Sequence, residues 1–473
     1  SEPAAGFDPA FGWGAGEHVH EPLLQSTLTV TNPDLTIGYD LATAMEVSGD
    51  GLTWTVKIRD DVKFTDGEPL TARDVAFTYN TVKNTSSVND FTMLDRAEVV
   101  DDYTVAFRMT RPFSIWPYTM AVVGILPEHA YDPANYGSNP IGSGRYMLKR
   151  WDRGQQVILE YNPDYYGLQP RMEQVTILFM EEDAAFLAVQ AGQADLAYTS
   201  AAYSDQSVNG FSLLSVRTVD NRGINLPVTM SSPTMELPVR QAINMGIDRQ
   251  RMIDHVLNGH GTPAYSVCDG LPWYSPVNEV EYDPVGARAL LDEWGWTVGP
   301  DGIRVRGTSE MKLSLTIYYI VGDSVRQGLA AELVNQLKEL GIEADTKGVG
   351  WDTAYDDALS NPFVWGWGAH TPMELYNIYH TAPGSDSALY SPYSCAEVDE
   401  RMDAALTCPA LEESYLLWQK AQEEIAGDVP WVWLVNVDHL YWVRDGLTVA
   451  EQKIHPHGHG WSIVNNIDQW SWE

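Results

Sequence analysis

The chain has 473 residues and a formal net charge of −36, because 65 acidic side chains outnumber 29 basic ones. This excess of negative charge argues against nucleic acid and against an anionic membrane surface as partners. Hydrophobic residues make up 44% of the chain, which is typical of a globular protein and not of a disordered one. The acidic balance suits a protein that handles cations, but a saline or acidic habitat explains it better, since metal binding needs only a few placed ligands.

The sequence predicts a multidomain protein without a membrane span. Its length is sufficient for two or three domains, and no run approaches the ~20 apolar residues of a transmembrane helix. Residues 1–5, SEPAA, have neither the basic nor the apolar region of a signal peptide. We therefore expect that a leader was never present or has been removed.

The first half of the chain begins with short strands and turns over residues 22–56. Alternation of apolar and polar residues predicts a half-buried strand over 52–58, after an Asp-Gly turn. A second strand and turn are predicted over 62–70. Thr71 is then predicted to cap a helix, with Asp74 at the third helical position as a variant capping box.

Later elements alternate between strands and helices. We predict a buried strand over 175–180, a helix over 182–192 that ends on glycine, a strand over 222–225, a helical segment over 238–258, a strand over 312–320, a helix over 325–340 and a strand from 342. The order strand, helix, strand predicts an α/β lobe.

Residues 50–84 carry a family resemblance. Their text, DGLTWTVKIRDDVKFTDGEPLTARDVAFTYNTVKN, resembles the signature of the family 5 extracellular solute-binding proteins of ABC importers, which bind oligopeptides, dipeptides, nickel and related chelates. Further similarities follow in the family's order at PIGSGRY (140–146), YNPDYY (161–166), GQAD (192–195), VRQAIN (239–244), YDP (282–284) and LLDEWGW (290–296). The resemblance therefore spans nearly the whole chain.

This resemblance implies a two-lobe α/β fold of the periplasmic-binding-protein type, class II or cluster C, with a hinge between the lobes. The first lobe is expected to comprise residues 1–225 and 443–473, including an inserted subdomain at about 46–165. The second lobe is expected at 226–442, with the chain crossing between lobes near 222–228 and 436–446. The C-terminal segment would then return to the first lobe.

Two histidine clusters lie at opposite ends of the chain. His18 and His20 fall in EHVHE (17–21), and His457 and His459 fall in IHPHGHGW (454–461). Imidazole is a common ligand for transition metals, and alternate residues of an extended segment point to opposite faces, so each cluster should direct one or at most two rings into a common site. Because the C-terminal segment is expected to return to the first lobe, the clusters are predicted to meet over a metal-containing ligand.

A solvated loop is the competing interpretation of each cluster, and no CxxC pair accompanies them as in closed structural zinc sites. Under the metal interpretation His18 and His459 are the first-choice ligands, and His20 and His457 are the alternates. Ligation requires neutral imidazole, so affinity is expected to fall below about pH 6.

The segment FVWGWGAHTP (363–372) supplies further candidates for ligand contact. Glycines permit close backbone approach, and the indoles of Trp365 and Trp367 offer broad apolar walls. Together with His370, Tyr376 and the closing NIDQW, this pattern resembles the nickel and metallophore branch of the family more than the peptide branch. A core strand is the alternative for the tryptophans, and a satisfied loop residue is the alternative for His370.

Arg145 departs from the family pattern, because many relatives carry proline at this point. A guanidinium there can bind a ligand carboxylate in a bidentate manner. The alternative is that Arg145 pairs with one of the chain's many acidic residues.

The cysteines leave one question open. Cys395 and Cys408 flank a predicted helix near 399–406, so a disulfide across it and free thiols are both consistent with the sequence.

The predicted function is that of an extracytoplasmic substrate-binding subunit of an ABC importer, either periplasmic or lipid-anchored. The expected cargo is Ni²⁺, or Co²⁺ or Zn²⁺, chelated by histidine or a small metallophore, and the expected partners are permease and ATPase subunits. The alternatives are an oligopeptide carrier with the histidines on surface loops, and a receptor-coupled binding protein of the same fold. GxSxG and HExxH motifs are absent from the sequence, so no enzyme is predicted; the family resemblance implies a monomer.

Overall fold

The computed structural model describes residues 2–85, 88, 91–307, 311–382, 389–390, 392–409, 411–458 and 460–473. The helices are α1 (Ala72–Thr85), α2 (Trp116–Met120), α3 (Glu182–Gln190), α4 (Leu237–Gly246), α5 (Arg249–Val256), α6 (Pro284–Glu293), α7 (Ser324–Glu339), α8 (Trp351–Ala358), α9 (Met373–Tyr379), α10 (Ala396–Thr407) and α11 (Leu411–Asp428). Among the described helices, none is long and apolar enough to cross a membrane.

The strands are short, and most form antiparallel sheets. They are β1 (Thr29–Thr31), β2 (Ile37–Tyr39), β3 (Ala42–Val47), β4 (Thr53–Ile58), β5 (Leu94–Asp101), β6 (Thr104–Met109), β7 (Tyr146–Asp152), β8 (Gln156–Tyr161), β9 (Gln174–Leu178), β10 (Leu196–Thr199), β11 (Phe211–Val216), β12 (Asn221–Asn225), β13 (Gly261–Pro263), β14 (Thr297–Val298), β15 (Arg304–Arg306), β16 (Met311–Lys312), β17 (Ser314–Ile320), β18 (Glu343–Val349), β19 (Val364–Trp365), β20 (Trp431–Val437), β21 (His439–Arg444), β22 (Leu447–Thr448) and β23 (Ser471–Trp472).

The chain divides into two compact units. Unit 1 comprises Ser1–Val216, Leu406–Ser414 and His439–Glu473, and unit 2 comprises Arg217–Ala405 and Tyr415–Asp438. The boundaries lie several residues from those predicted at 225 and 443, because β12 and β20 pair with each other inside unit 2, whereas β21 pairs with β10 and β11 inside unit 1.

Unit 1 contains three principal sheets, with strand orders β3-β4-β6-β5, β7-β8-β9 and β10-β21-β11. The core around the last two includes Phe7, Trp13, Tyr146, Tyr441 and Trp461. The C-terminal segment thus supplies core side chains to the unit that also contains the N-terminal segment.

The predicted start of α1 is confirmed in atomic detail. The backbone N–H and the hydroxyl of Thr71 donate to Oδ2 of Asp74 at 2.9 and 3.1 Å, and Oγ1 of Thr71 accepts from the N–H of Arg73 at 3.3 Å. These bonds satisfy donors that the first helical turn leaves without partners. The preceding strand, β4, buries Trp54, Val56 and Ile58 on one face, as the alternating pattern predicts.

Unit 2 is organised on the sheet β13-β20-β12-β19 and on a parallel pair, β17 and β18. The helix α7 connects the parallel strands, and its N-cap Asp323 accepts the N–H of Arg326 at 2.8 Å. The predicted strand, helix, strand order is therefore confirmed here.

The single helical segment predicted over 238–258 is wrong. The chain forms α4 and α5 with a break at Ile247 and Asp248, and Asp248 caps α5 by accepting the N–H of Arg251 at 3.0 Å. The amide of Gln336 on α7 accepts the N–H of Asp248 at 2.7 Å and donates to its carbonyl at 3.1 Å. This remote side chain satisfies the backbone at the break.

Two other expectations are resolved by the structure. Strand β9 is at the edge of its sheet and is not buried, because only alternate residues face the core. Cys395 and Cys408 are free thiols at either end of α10, so of the two alternatives the structure shows the unpaired one.

Candidate ligand-binding site

The N-terminal histidines lie in unit 1, where the 3₁₀ helix Gly16–His18 turns the chain. Both rings are buried, since His18 is 8% exposed and His20 is 1% exposed. Their centroids lie 5.7 and 4.6 Å from the ring of Trp13. The expected extended geometry is wrong for His18, because it ends a helical turn, and the two rings contact the same indole.

The hydrogen bonding of His20 fixes its tautomer. Nδ1 lies 2.7 Å from the carbonyl oxygen of Glu21. Because a carbonyl only accepts, Nδ1 carries the proton and Nε2 carries the lone pair. Within the described part of the chain, this buried Nε2 has no hydrogen-bond partner. The ring therefore holds a lone pair in a buried position.

Burial also keeps both rings neutral. Desolvation lowers the pKa of His20 to about 4. Desolvation, with a smaller repulsion from His20, lowers the pKa of His18 to about 4 as well. Nδ1 of His18 is a second buried nitrogen without a hydrogen-bond partner among the described residues. Neutral imidazole is the form that coordinates metals.

The C-terminal segment packs directly on these rings, as the family resemblance implies. The ring of Trp461 lies 5.1 Å from that of Trp13 and 6.4 Å from that of His18. A Cβ added to Gly458 would lie 2.9 Å from the carbonyl oxygen of Val19, so the backbones of the two segments nearly touch. The two ends of the chain therefore meet inside unit 1.

An ion pair joins the same two segments. Nζ of Lys453 pairs with the carboxylate of Glu21 and also donates to the carbonyl of Thr31. Both charged side chains are largely buried, so this pair is less screened by solvent than a surface pair.

The remaining C-terminal histidines occupy different environments. His457 is half-buried, and His459 lies outside the described residues. His455, which was not among the candidates, is buried with Nε2 2.9 Å from Oε1 of Gln452 and Nδ1 3.3 Å from Nδ1 of His439. Since amide Oε1 accepts, Nε2 of His455 carries the proton of that ring, and Nδ1 of His455 accepts the hydrogen bond that Nδ1–H of His439 donates.

Arg145 lies in unit 1 and contacts the C-terminal segment. Its Nε is 3.1 Å from Oδ1 of Asp468, and NH1 donates to the carbonyl of Asn465 at 2.5 Å. In this structure the guanidinium therefore pairs with an acid of the chain itself, and its predicted bond to a ligand carboxylate stays a prediction.

The predicted aromatic residues lie in unit 2. Trp365 is buried on β19, with its ring stacked 4.3 Å from Phe363 and 5.9 Å from Tyr355. Trp367 is half-buried, and its ring lies 5.3 Å from that of Trp431. Their role against a ligand remains a prediction.

His370 and Tyr376 flank the turn into α9. The turn is held by Glu374, whose carboxylate accepts the N–H groups of Gly368 and Ala369 at 3.1 and 2.8 Å. His370 is half-buried. Tyr376 is buried and stacks on His380 at 4.1 Å.

The sequence analysis missed several residues that the structure places beside the candidates. Trp13 underlies the N-terminal histidines, and Trp433 stacks on Trp431 at 5.3 Å. The alternation of Trp431 and Trp433 along the sequence could have predicted that these two rings lie on the same face of a strand. No local signal marks Trp13, because only the tertiary fold brings it to His20.

Among the described residues, no three His, Cys, Asp or Glu side chains form a cluster able to hold a metal by themselves. One or two imidazoles can still complete the shell of a metal that arrives with its own chelator.

Comparison with known proteins identifies the family. Residues 36–388 match the family described as "Bacterial extracellular solute-binding proteins, family 5 Middle". The chain belongs to this family. Its fold is the family's two-lobe α/β fold, and the protein is a binding protein of transport and not an enzyme.

Relatives in family 5 cover most of the chain. Protein XP55 from Streptomyces lividans is 31% identical over 444 residues, which is 89% of this chain and 80% of that protein. The oligopeptide-binding protein AppA from Bacillus subtilis is 28% identical over 485 residues, 95% of this chain and 86% of that protein.

A solved family 5 structure shares the fold over the full length. NikZ from Campylobacter jejuni, in complex with Ni(L-His), superposes with a TM-score of 0.80 at 22% identity, covering 100% of this chain and 98% of that one. As a member of family 5, the protein described here is a substrate-binding subunit of an ABC importer. Family 5 proteins are extracellular, as their description states.

Proposed function

We propose that the protein captures nickel, or a similar divalent transition metal such as Co²⁺ or Zn²⁺, as a complex with free histidine or another small chelator. The observation that carries this proposal is a pair of buried imidazole nitrogens, Nδ1 of His18 and Nε2 of His20, that have no hydrogen-bond partner among the described residues; the carbonyl of Glu21 fixes the tautomer of His20. A metal-ligating imidazole commonly donates its other N–H to a backbone carbonyl in this way.

The surroundings of His20 support the same reading. His18 offers a second unpartnered nitrogen among the described residues, and both rings are neutral over the physiological pH range because of their lowered pKa values. Trp461 of the C-terminal segment packs against both rings, and His457 belongs to the same segment. A small number of protein ligands also suits a carrier, because the cargo has to be released later.

Access to His20 requires local movement. The ring is 1% exposed and covered by Trp461. We infer that the chelate enters as the segment 455–461 shifts, with His18 and His459 as the first ligands and His20 and His457 as alternates. The fold neighbour NikZ was solved with Ni(L-His), which is a cargo of the proposed kind.

The other predicted contacts are separate parts of the proposal. Arg145 would exchange its pairing with Asp468 for the carboxylate of the chelator. Trp365, Trp367, His370 and Tyr376 would contact the organic part of the cargo. Outside the cytoplasm, periplasmic or lipid-anchored, the monomeric protein would deliver this cargo to permease and ATPase subunits.

Oligopeptide binding is the second candidate, favoured by the 28% identity to AppA over 95% of this chain. It places the histidines in a structural role only. It predicts that di- to pentapeptides bind with an affinity that EDTA does not change.

The deciding experiment is calorimetric titration of metal-stripped protein with Ni²⁺, with and without L-histidine. We expect binding only when L-histidine is present, and at least tenfold weaker binding in His18→Phe, His20→Phe and His459→Ala. The phenylalanine variants keep a ring against Trp13, so packing is largely preserved. The matched control is His255→Phe in unit 2, an exposed position, where binding should be unchanged. Peptide binding without any response to nickel would overturn the proposal.

A further inference from the structure

Unit 1 contains a large cavity that Trp461 lines and that His18 and His20 do not. Its volume is about 760 Å³, within the usual range of small-molecule sites, roughly 300–1,000 Å³. Strand β9, strand β10 and the segment 460–472 form its walls. His18, His20 and Arg145 are not among the residues that line it.

The floor of this cavity is apolar and aromatic. Trp461, Ile463, Val464, Ile467 and Trp470 line it from the C-terminal segment, and all five are buried. Atoms that line an empty apolar cavity lack dispersion contacts on one side, and an apolar guest restores those contacts. The floor therefore favours an apolar guest.

The mouth of the cavity is also apolar. Leu178, Met180, Tyr198 and Trp472 line the cavity and are exposed to solvent, at 36%, 43%, 40% and 49%. Exposed apolar residues that ring an opening are typical of ligand-binding grooves.

The charges near the cavity lie at its outer edge. Apart from tyrosines, the described lining contains three ionisable residues, Arg171, Glu173 and Asp195. All three are exposed. Asp195 is already paired with Arg444 at 2.7 Å. Because no charged side chain of the described lining is buried in the cavity, nothing compensates the desolvation of a charged guest.

Two edge strands in the lining carry backbone polar groups. Strand β9 ends the order β7-β8-β9, and strand β10 ends the order β10-β21-β11. Each strand therefore has one edge that no described strand pairs, and both strands line the cavity. An edge offers N–H and C=O groups to a neutral polar substituent.

We propose that this cavity is a second binding site, specific for an uncharged small molecule with an aromatic or aliphatic body. The lining of this site lies in unit 1 alone, and no candidate metal ligand is among the described residues that form it. Trp461 lines the cavity and also packs on His20, so its fluorescence should report a guest directly.

The test uses N-phenyl-1-naphthylamine, an uncharged apolar fluorophore, titrated into the full-length protein. We expect saturable binding of one equivalent with blue-shifted emission. Ala185→Phe and Ala188→Phe place rings from α3 into the cavity and should weaken binding at least tenfold. Ala184→Phe, on the exposed side of the same helix and outside the lining, should bind as the wild type does.

A second pair of variants covers the case in which a filled cavity impairs folding. Met180→Asp puts a charge at the exposed mouth, where folding tolerates it, and should also weaken binding at least tenfold. Met230→Asp, at a position 87% exposed in unit 2, is its control and should leave binding unchanged. Equal binding by Met180→Asp and Met230→Asp, or no saturable binding by the wild type, would overturn the proposal.

Discussion

The imidazole of His20 stacks on the indole of Trp461, with ring centroids 6.1 Å apart and an interplanar angle of 18°. One residue comes from the N-terminal segment and the other from the C-terminal segment. The contact excludes water from a ring whose Nδ1 is already bonded to a carbonyl. It therefore accounts for the desolvation that lowers the pKa of His20, and Nε2 of the same ring has no hydrogen-bond partner among the described residues.

The lowered pKa values predict a dependence of stability on pH. The folded pKa of His18 and of His20 is about 4, below the value near 6.5 of an unfolded chain. Between these limits the unfolded chain binds protons that the folded chain does not. Each ring therefore makes its full contribution to the free energy of unfolding above pH 6.5. That contribution decreases as the pH falls, by about 2 kcal/mol per ring at pH 5.

Differential scanning calorimetry of metal-free protein at pH 7.5 and pH 5 measures this effect. His20→Phe keeps the ring stack but cannot titrate, so its melting temperature should fall less than that of the wild type. His255→Phe, at an exposed position, should behave as the wild type. An equal fall in all three proteins would show that His20 is not buried as a neutral ring.

Gly458 is predicted to be essential for the meeting of the two segments. A Cβ at this position would lie 2.5 Å from Oγ of Ser462 and 2.9 Å from the carbonyl oxygen of Val19. Gly458→Ala should therefore displace the histidine-rich segment, lower the free energy of unfolding by about 1–3 kcal/mol and weaken binding of the nickel–histidine complex. Chemical denaturation and calorimetric titration measure the two effects.

A glycine in open space provides the control. Nothing lies within 4 Å of a Cβ added to Gly427, in helix α11. Gly427→Ala should stabilise the protein by roughly 0.5–1 kcal/mol without changing affinity. If Gly458→Ala were equally harmless, the close approach of the segments would not matter for the site.

The pairing of Arg145 with Asp468 predicts a large effect of an isosteric change. Asp468 is 6% exposed, so Asp468→Asn removes the carboxylate paired with a largely buried guanidinium, leaving Glu21 and Asp40 as its acidic neighbours, and should cost about 2–4 kcal/mol. Asp301→Asn removes one of the two carboxylates, Asp301 and Glu343, that pair with exposed Lys312 and should cost no more than about 1 kcal/mol. Denaturant midpoints of the two variants give the comparison; similar losses would contradict it.

Trp365 and Trp367 are predicted to differ in role. Trp365 is buried and stacked on Phe363, so Trp365→Ala should lower stability by about 3–5 kcal/mol whatever the cargo. Trp367 is half-buried, and Trp367→Phe should mainly weaken cargo binding. Thermal melting and calorimetric titration of both variants separate packing from recognition. A loss of stability without a loss of affinity in Trp367→Phe would exclude its role as a ligand wall.

Local chemistry made part of the fold predictable from the sequence. The capping box of Thr71 and Asp74 involves atoms three residues apart, and the α7 crossover between β17 and β18 follows from hydrophobic periodicity. The break at Asp248 was not predictable, because the amide that satisfies it belongs to Gln336 on another helix.

The candidate site shows the same division. The close spacing of His18 and His20 in the sequence predicts a histidine site, and the family resemblance implies that the C-terminal segment lies near them. The tautomer of His20 and its contact with Trp13 depend on a turn whose geometry the sequence does not encode locally. The pairing of Arg145 with Asp468 was likewise open, because the chain has many acidic residues.

The central claim is that the cargo is a metal chelate. Native mass spectrometry of the metal-stripped protein, incubated with Ni²⁺, L-histidine and a mixture of di- to pentapeptides, tests it most directly. The account predicts one adduct whose mass equals nickel plus histidine, lost on addition of EDTA and strongly reduced in His18→Phe. A peptide adduct that forms in the presence of EDTA, and that His18→Phe retains, would contradict it.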